Sequence, residues 1–498
     1  RPEYATTVYS NILKKLYPDV PVVIGGIEAS MRRFTHYDYW QDRLMKSILV
    51  DSKADVLVYG MGEQPMTALC KAMQARLQES GDEHITADVA REITKDIRQT
   101  GYLARKSDIA FDDTHDRQLA PHAVCLKDKS KQAANFLAIE KESNKVSAKR
   151  LMQEYDEGVV VINPPFPTMT TEQLDHSFHL PYTRLPHPKY NGKRIPAYDM
   201  IKHSVNIHRG CFGGCSFCTI SAHQGKFISS RSERSILKEV ERITQMEDFK
   251  GYLSDIGAPS ANMYRMSGRN EELCQRCKRP SCLHPKLCPN MNNDHAPLLE
   301  LYRRVREAKG IKRAFIGSGI RYDLFDESEY FETVVKHHTS GRLKVAPEHT
   351  EDHVLNLMRK PSFTMFERLN SRFHQICRRN ELKYQLIPYF ISSHPGCTER
   401  DMQNLASKVL GKLNFNLEQV QDLTPTPMTL SSVMFYTGEN PYTGEKVFVA
   451  RSQDDKRRQK SYFFKEQPRP QRGNAPQRGS SPAKQRDNRK TKYKPTKK

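Results

Sequence analysis

Apolar residues fall along this chain in two alternating patterns. Short unbroken runs closed by glycine or a polar residue read as buried strands, and longer stretches with three- and four-residue spacing read as helices. Residues 3–17 have helical spacing, and Val20-Pro21-Val22-Val23-Ile24-Gly25-Gly26 then reads as a short buried strand. About thirty residues on, Asp55-Val56-Leu57-Val58-Tyr59-Gly60-Met61-Gly62-Glu63 repeats the strand pattern, and helical patterns follow. Such alternation predicts a parallel sheet, and by fold-level reasoning a Rossmann-like domain. Residues 101–200 are less periodic. Strand-like fragments at 132–139 and 158–163 flank a polar helical run, and a Pro-rich segment from Pro164 to Pro188, expected to be extended, leads onward.

From His203 the alternation is sustained, with strands expected near 204–208, 251–255, 312–318, 342–346, 384–391 and 416–421 and helices between them, such as 230–246 and 350–359. Six such units predict a partial (β/α)6 TIM-like barrel, whose chemistry belongs at the C-terminal ends of the strands. Polar groups stand there: Asp255-Ile-Gly-Ala-Pro259, Ser318-Gly-Ile-Arg321, Pro347-Glu-His349 and Ser392-Ser-His-Pro-Gly-Cys397. The fold class expected is therefore α/β, with a Rossmann-like N-terminal domain, the partial barrel and a disordered basic C-terminal tail.

Charge changes the picture only at that end. Of the net +21, residues 451–498 hold seventeen Lys and Arg against four Asp and Glu, a net of +13, so the remainder carries +8. The basic character belongs to a tail poor in apolar residues, which cannot bury enough surface to fold and is suited to RNA or another polyanion; a solubilising role is the plainer alternative. No run approaches 18 apolar residues and no signal peptide is visible, so a cytoplasmic protein with no membrane partner is expected. The chain opens at Arg1 inside a helical pattern, as expected of a piece truncated at its N-terminus. Eleven cysteines, gathered mainly in two clusters, favour metal ligation over a disulfide framework.

The first cluster is Arg209-Gly-Cys-Phe-Gly-Gly-Cys-Ser-Phe-Cys218, which spaces Cys211, Cys215 and Cys218 as C-x3-C-x2-C directly after a strand. A closed zinc or cubane site takes four protein ligands, so three thiolates on one loop suit an iron–sulfur cluster with one metal corner free. Glycines 210, 213 and 214 suit a tight loop near the cluster sulfurs, and Phe217 can shield the cluster or a ligand.

C-x3-C-x-Φ-C after a first strand, with Phe217 as the aromatic, resembles the radical S-adenosylmethionine superfamily. The resemblance implies a [4Fe–4S] cluster on Cys211, Cys215 and Cys218 whose free iron binds S-adenosylmethionine. One electron, supplied by a reductant such as flavodoxin or ferredoxin, then yields a 5′-deoxyadenosyl radical. It also implies that a Gly-Gly-Glu-like element falls on Asp255 to Ala258, with a single Gly257 where two glycines are usual, and that Glu348 ends strand four as a cofactor ligand. Phe217, Asp255, Gly257, Ser318 and Glu348 are the expected cofactor-binding set. The stretches Asp255-Ile-Gly-Ala-Pro-Ser-Ala-Asn-Met-Tyr264, Val345-Ala-Pro-Glu-His349, Tyr389-Phe-Ile-Ser-Ser-His-Pro-Gly396 and Thr424-Pro-Thr-Pro-Met-Thr429 together resemble the YgiQ family up to about residue 465. That family supplies a fold and a cofactor but no substrate. The first strands resemble the end of a cobalamin-binding domain, yet Asp113-Thr-His-Asp-Arg-Gln118 lacks the glycine of a cobalt-ligating Asp-x-His-x-x-Gly, so cobalamin is not expected.

A second cluster, Cys274, Cys277, Cys282 and Cys288, gathers four cysteines within fifteen residues. By count this candidate metal site suits zinc, an auxiliary four-cysteine cluster or free thiols. The expected division is thus a Rossmann-like fragment at 1–100, a connector at 101–198, a barrel at 199–430 with a cysteine-rich insertion at 265–295, an extension at 431–465 and the tail at 466–498. The reading favoured is a radical enzyme of unknown substrate; the alternative is a non-catalytic iron–sulfur or zinc protein that holds RNA through its tail.

Overall fold

The computed structural model describes residues 3–463 apart from 326–328, 416 and 418, so the tail at 466–498 lies outside the described residues. The first two apolar runs pair as expected: Val23–Ile24 (β1) lies parallel to Val56–Val58 (β2), with Val23 opposite Val56. Beyond them the sheet departs from a doubly wound pattern. Thr100–Ala104 (β3), Asp116–Gln118 (β4), Arg150–Tyr155 (β5) and Gly158–Ile162 (β6) complete a six-stranded sheet in the order β1-β2-β3-β6-β5-β4. The β2–β3, β3–β6 and β6–β5 pairs are antiparallel and β5–β4 is parallel. The expected all-parallel Rossmann-like sheet is therefore a mixed one, and the range 101–198, read as a connector, supplies strands to it. The reason is local: only Asp156 and Glu157 separate β5 from β6, and a two-residue turn can join only antiparallel neighbours. Gly158 has φ +146°, and a side chain there would overlap the Ala104 carbonyl oxygen, so the β3–β6 approach requires glycine.

Two further expectations in this region fail for reasons of capping. Residues 132–139 are not a strand but part of helix Lys129–Ser143, whose first turn is closed by the Asp128 side chain accepting from the Ser130 amide. Its buried residues, among them Gln132, Asn135, Phe136, Ile139 and Glu142, keep helical spacing. The Pro164–Pro188 segment is not wholly extended either. It contains helix Thr171–His179, started by a capping box between Thr170 and Gln173.

The second half keeps the expected alternation and parallel pairing, but among the described residues its strands fall in three separate sheets and not in one continuous barrel. Ser204–Asn206 (β7) lies parallel to Asp255–Gly257 (β9), and Tyr252–Leu253 (β8) lies parallel to Arg313–Ala314 (β10). Arg342–Glu348 (β11), Gln385–Ser392 (β12) and Val420–Asp422 (β13) form a second, all-parallel group. Both groups share one large core, in which Val205, Ile256, Ala314, Val345, Phe390 and Val420 from the strands meet residues of the intervening helices. Helix Phe363–Arg379 illustrates why these helices form. Ser362 caps it, and Phe363, Phe366, Leu369, Phe373 and Ile376 recur at three- and four-residue spacing on its buried face, each such burial contributing about 1.5–3 kcal/mol.

The two halves are joined by the segments that close the chain. Helix Leu430–Thr437 packs Leu430, Val433 and Met434 against Phe136. Arg359 forms a two-pronged ion pair with Glu140, at 2.7 and 3.0 Å, and its Nη1 also points at the Gly214 carbonyl, 3.4 Å away. Among the described residues no helix is long and apolar enough to cross a membrane.

Candidate metal centre

The loop that carries Cys211, Cys215 and Cys218 leaves the core after β7. His208–Arg209 pairs antiparallel with Ser229–Ser230, which ties the base of the loop. Gly210 has φ +88° and no room for a side chain, since a Cβ there would overlap the Phe227 carbonyl oxygen. Inside the loop, the Cys211 amide donates to Gly225 O (3.1 Å), the Cys218 amide to Cys215 O (3.2 Å) and the Ser221 hydroxyl to Cys211 O (2.7 Å). The backbone is thus held by hydrogen bonds, as a preformed ligand loop needs.

The surroundings come from five distant places: Ser260 with Asn262, Glu348 and His394 lie in stretches that carried the sequence resemblance, whereas Arg321 with Asp323 and Ser431 lie outside them. Ser260 Oγ lies 3.5 Å from Cys211 Sγ, and the Ser260 carbonyl is 2.9 Å from His208 Nε2. Asn262 accepts from the Arg321 amide (2.7 Å) and donates to the Arg321 carbonyl (2.9 Å). So held, Arg321 sends Nη1 to Cys215 Sγ at 3.1 Å while Nε donates to Asp323 at 2.9 Å. His394 Nε2 contacts Ser431 Oγ (2.7 Å) and Ser216 Oγ (3.3 Å), and its ring meets Phe217 edge-on at 6.2 Å. Glu348 is buried, with its charge felt at Cys218.

The predicted cofactor-binding residues fall into separate groups. Asp255, Gly257 and Ser318 stand together: Asp255 Oδ1 accepts from the Gly317 and Ser318 amides at 2.8 and 3.2 Å, and the Ser318 hydroxyl donates to Oδ2. A Cβ on Gly257 would stand 2.5 Å from both Asp255 oxygens and overlap Ser318 Oγ, so the close approach of the three residues requires glycine. Glu348 sits apart at the end of β11, where the β11–β12 register shifts, and at φ +70°. A non-glycine residue in that region costs of order 1–3 kcal/mol, which the surrounding packing must offset. Lys360 Nζ is 3.6 Å from its carboxylate; burial raises the Glu348 pKa, and Lys360 opposes the rise. Phe217 is next to His394 on the cysteine loop itself.

The donor set fits iron–sulfur ligation. Burial pushes the Cys218 thiol up to about 12 and raises Cys211 as well. Free thiols there would stay protonated at neutral pH, so the thiolates that a cluster requires need the charge of a metal beside them. Arg321 supplies one further positive charge at Cys215, with Asp323 balancing it. A cavity of about 40 Å³ is lined by Cys215, Cys218, Ser216 and Arg359, and a neighbouring one of about 140 Å³ lies between the loop and the first sheet, bordered by Arg33, Tyr59, Arg209 and His223.

Arg321 appeared in the sequence only as one of a strand-end group; its reach to Cys215, through Asn262, has no signal in spacing. Ser260 and Ser431 were likewise invisible as neighbours of the loop. The four cysteines of the second cluster line one cavity, beside the first loop. Asp113 and His115, the partial cobalt motif, lie in an exposed turn where His115 pairs with Asp112 at 2.6 Å.

Comparison with known proteins places this geometry. The family described as "Radical SAM N-terminal" matches residues 1–204, and a "Domain of unknown function (DUF3362)" matches 418–469. A UPF0313 protein of Bacteroides thetaiotaomicron is 58% identical over 477 residues, covering 93% of this chain and 76% of its own length. Those of Porphyromonas gingivalis and Methanocella arvoryzae are 55% and 42% identical, covering 93% and 92% of this chain and 73% and 74% of theirs. Among solved structures, the radical S-adenosylmethionine methyltransferase TsrM from Kitasatospora setae, determined with cobalamin and a [4Fe–4S] cluster, aligns with TM-score 0.45 at 15% identity over 85% of this chain and 62% of that one. The Radical SAM N-terminal match over residues 1–204 makes this a chain of the radical S-adenosylmethionine superfamily. More narrowly, the chain belongs to the UPF0313 family.

Proposed function

We propose that this chain is a radical S-adenosylmethionine enzyme, built on a partial (β/α)6 barrel of the strands β7 to β13, with β8 and β9 as two parts of one strand, in which Cys211, Cys215 and Cys218 hold a [4Fe–4S] cluster. The observation that carries the reading is the three-cysteine loop at the head of the parallel strands, surrounded by Ser260, Glu348 and His394 from stretches that mark the family in sequence and by Arg321 and Ser431. Three thiolates leave one iron of a cubane for an external ligand, and the amino-acid end of S-adenosylmethionine is the chelating group that suits it. When bound, the reduced cluster supplies the electron that cleaves the sulfonium and releases a 5′-deoxyadenosyl radical.

The chain's own residues have three tasks in this reading. Arg321 donates to Cys215 Sγ and so stabilises the thiolate charge, an outer-sphere contact of the kind that tunes a metal site. Asp255 orients Ser318 through the backbone amides it accepts, and Gly257 lets its backbone approach both closely. Glu348 offers a buried carboxylate close to Cys218, held by Lys360 against full neutralisation. Phe217 and His394 cover the loop from the side of β12. The electron donor proposed is a flavodoxin- or ferredoxin-like protein.

Anaerobically reconstituted protein, given a strong reductant and S-adenosylmethionine, is expected to release 5′-deoxyadenosine and methionine slowly without any substrate. A fully loaded cluster whose electron-paramagnetic signal is unchanged by S-adenosylmethionine, with no 5′-deoxyadenosine above that of Cys215→Ala, would defeat the reading.

A further inference from the structure

The second cysteine cluster admits zinc or iron–sulfur by ligand count, and the structure discriminates between them. We propose that Cys274, Cys277, Cys282 and Cys288 hold a second four-iron cluster and not a single zinc ion. Four sulfurs on zinc, each at about 2.3 Å, stand about 3.8 Å apart at tetrahedral angles. Among the described residues, the only trio of Cys, His, Asp or Glu ligand atoms within 4.8 Å of one another is Glu351, His353 and Asp401. No three of the four sulfurs close to that distance, yet all four line one cavity of about 430 Å³. Thiolates spread around a sizeable cavity match a cubane, in which each cysteine binds a different iron.

The cavity is a built site. Asn290 Nδ2 donates to Cys274 Sγ at 3.3 Å, and a Cβ on Gly268 would overlap that sulfur. Lys226, 2% exposed, borders the cavity and is fixed by a 2.9 Å bond from Nζ to the Arg279 carbonyl. A buried ammonium facing four thiolates suits a cluster whose total charge stays negative. The whole insertion is also seated on the first cysteine loop: the Cys282 amide donates to Phe212 O (2.9 Å) and the Ser281 hydroxyl to Gly213 O (2.7 Å). Gly214, at φ +60°, packs so closely on Pro280 that a side chain would overlap its carbonyl oxygen.

This proposal does not depend on the reading of the first loop, and metal counting separates the two. The chain is reconstituted anaerobically with ferrous iron and sulfide in the presence of equimolar zinc, then desalted and analysed for iron, sulfide and zinc. The unaltered chain is expected to hold about eight irons, and the Cys211→Ala/Cys215→Ala/Cys218→Ala variant about four with matching sulfide. If that variant does not fold, Cys277→Ser/Cys288→Ser in the otherwise unaltered chain serves instead, and its iron is expected to fall from about eight to about four. One zinc per chain retained by the triple variant, or an iron content that Cys277→Ser/Cys288→Ser leaves unchanged, overturns the proposal. About four irons in both the unaltered chain and the triple variant would uphold it while sinking the first cluster.

Discussion

The two cysteine clusters touch each other yet are built in opposite ways. The first sits on a loop whose ends are a paired strand and whose neighbours end or follow β9, β10, β11 and β12, anchored in the large core, and come from helix Leu430–Thr437, packed on Phe136. The second sits on an insertion whose regular structure is a two-residue ladder, Ser267–Gly268 with Met291–Asn292, and the short helix Glu271–Gln275. A ligand loop held by a folded core keeps its shape through that core, whereas the insertion takes its shape from packing on the first loop, with Leu283 and Met291 beside Cys211 and Phe212. The first arrangement suits a reactive centre, which needs fixed geometry and an open position. The second suits a closed site, in which four ligands secure the segment itself.

Four experiments break or sharpen that contrast. The largest effect is expected from Cys215→Ala, which should reduce 5′-deoxyadenosine formation to background while the melting temperature of the body stays within a few degrees; collapse of the fold would contradict a preformed loop. Next comes Glu140→Ala, which strands Arg359 beside Gly214. Removing one partner of a buried pair costs about 3–5 kcal/mol, read as a lowered denaturant midpoint, and an unchanged midpoint would show that this bridge does not fasten the loop to helix Lys129–Ser143. Gly257→Ala should then cost about 1–3 kcal/mol of overpacking against Ser318 and Asp255 and lower S-adenosylmethionine cleavage about ten- to a hundredfold, with iron content unaltered; full activity would move the cofactor away from Gly257.

The smallest effect concerns acid. Burial pushes His338 and His394 down to about 4 and His349 to about 3. In the folded chain they stay neutral, and on unfolding they regain a value near about 6.5, so the unfolded chain binds more protons between these limits. Stability should therefore fall as pH drops through about 6.5 and level off only below about 3, each histidine contributing at most about 1.4 kcal/mol per pH unit. His338→Asn should flatten the slope measured by urea unfolding; an unchanged slope would mean that other groups carry the acid sensitivity.

Part of this was legible because its signal is local. The strand runs at 342–346 and 384–391 are rich in apolar residues, and they emerged as β11 and β12 with bounds moved by two residues or fewer. The failures were at places where a cap or turn outweighs apolar content. Asp128 turned 132–139 into helix, and the Asp156-Glu157 turn made β5 and β6 antiparallel. The basic tail, also legible as composition, lies outside the described residues.

The sequence by itself determined which residues are candidate ligands, because ligand type and spacing on one short loop are covalent facts: three cysteines here, four there. It also determined the parallel order of the second half, through runs long enough to be strands and spaced widely enough to hold helices between them. Only the tertiary structure decided what faces those thiols. Arg321 reaches Cys215 from 106 residues away, and His394 and Ser431 reach Ser216 from 178 and 215. No periodicity encodes such meetings, since they depend on the register in which parallel strands stack and on where each strand ends. The same holds for the spacing of the four sulfurs at the second cluster: a count of four cysteines cannot measure how far apart they stand, and that distance is set by the packing of the insertion on the first loop.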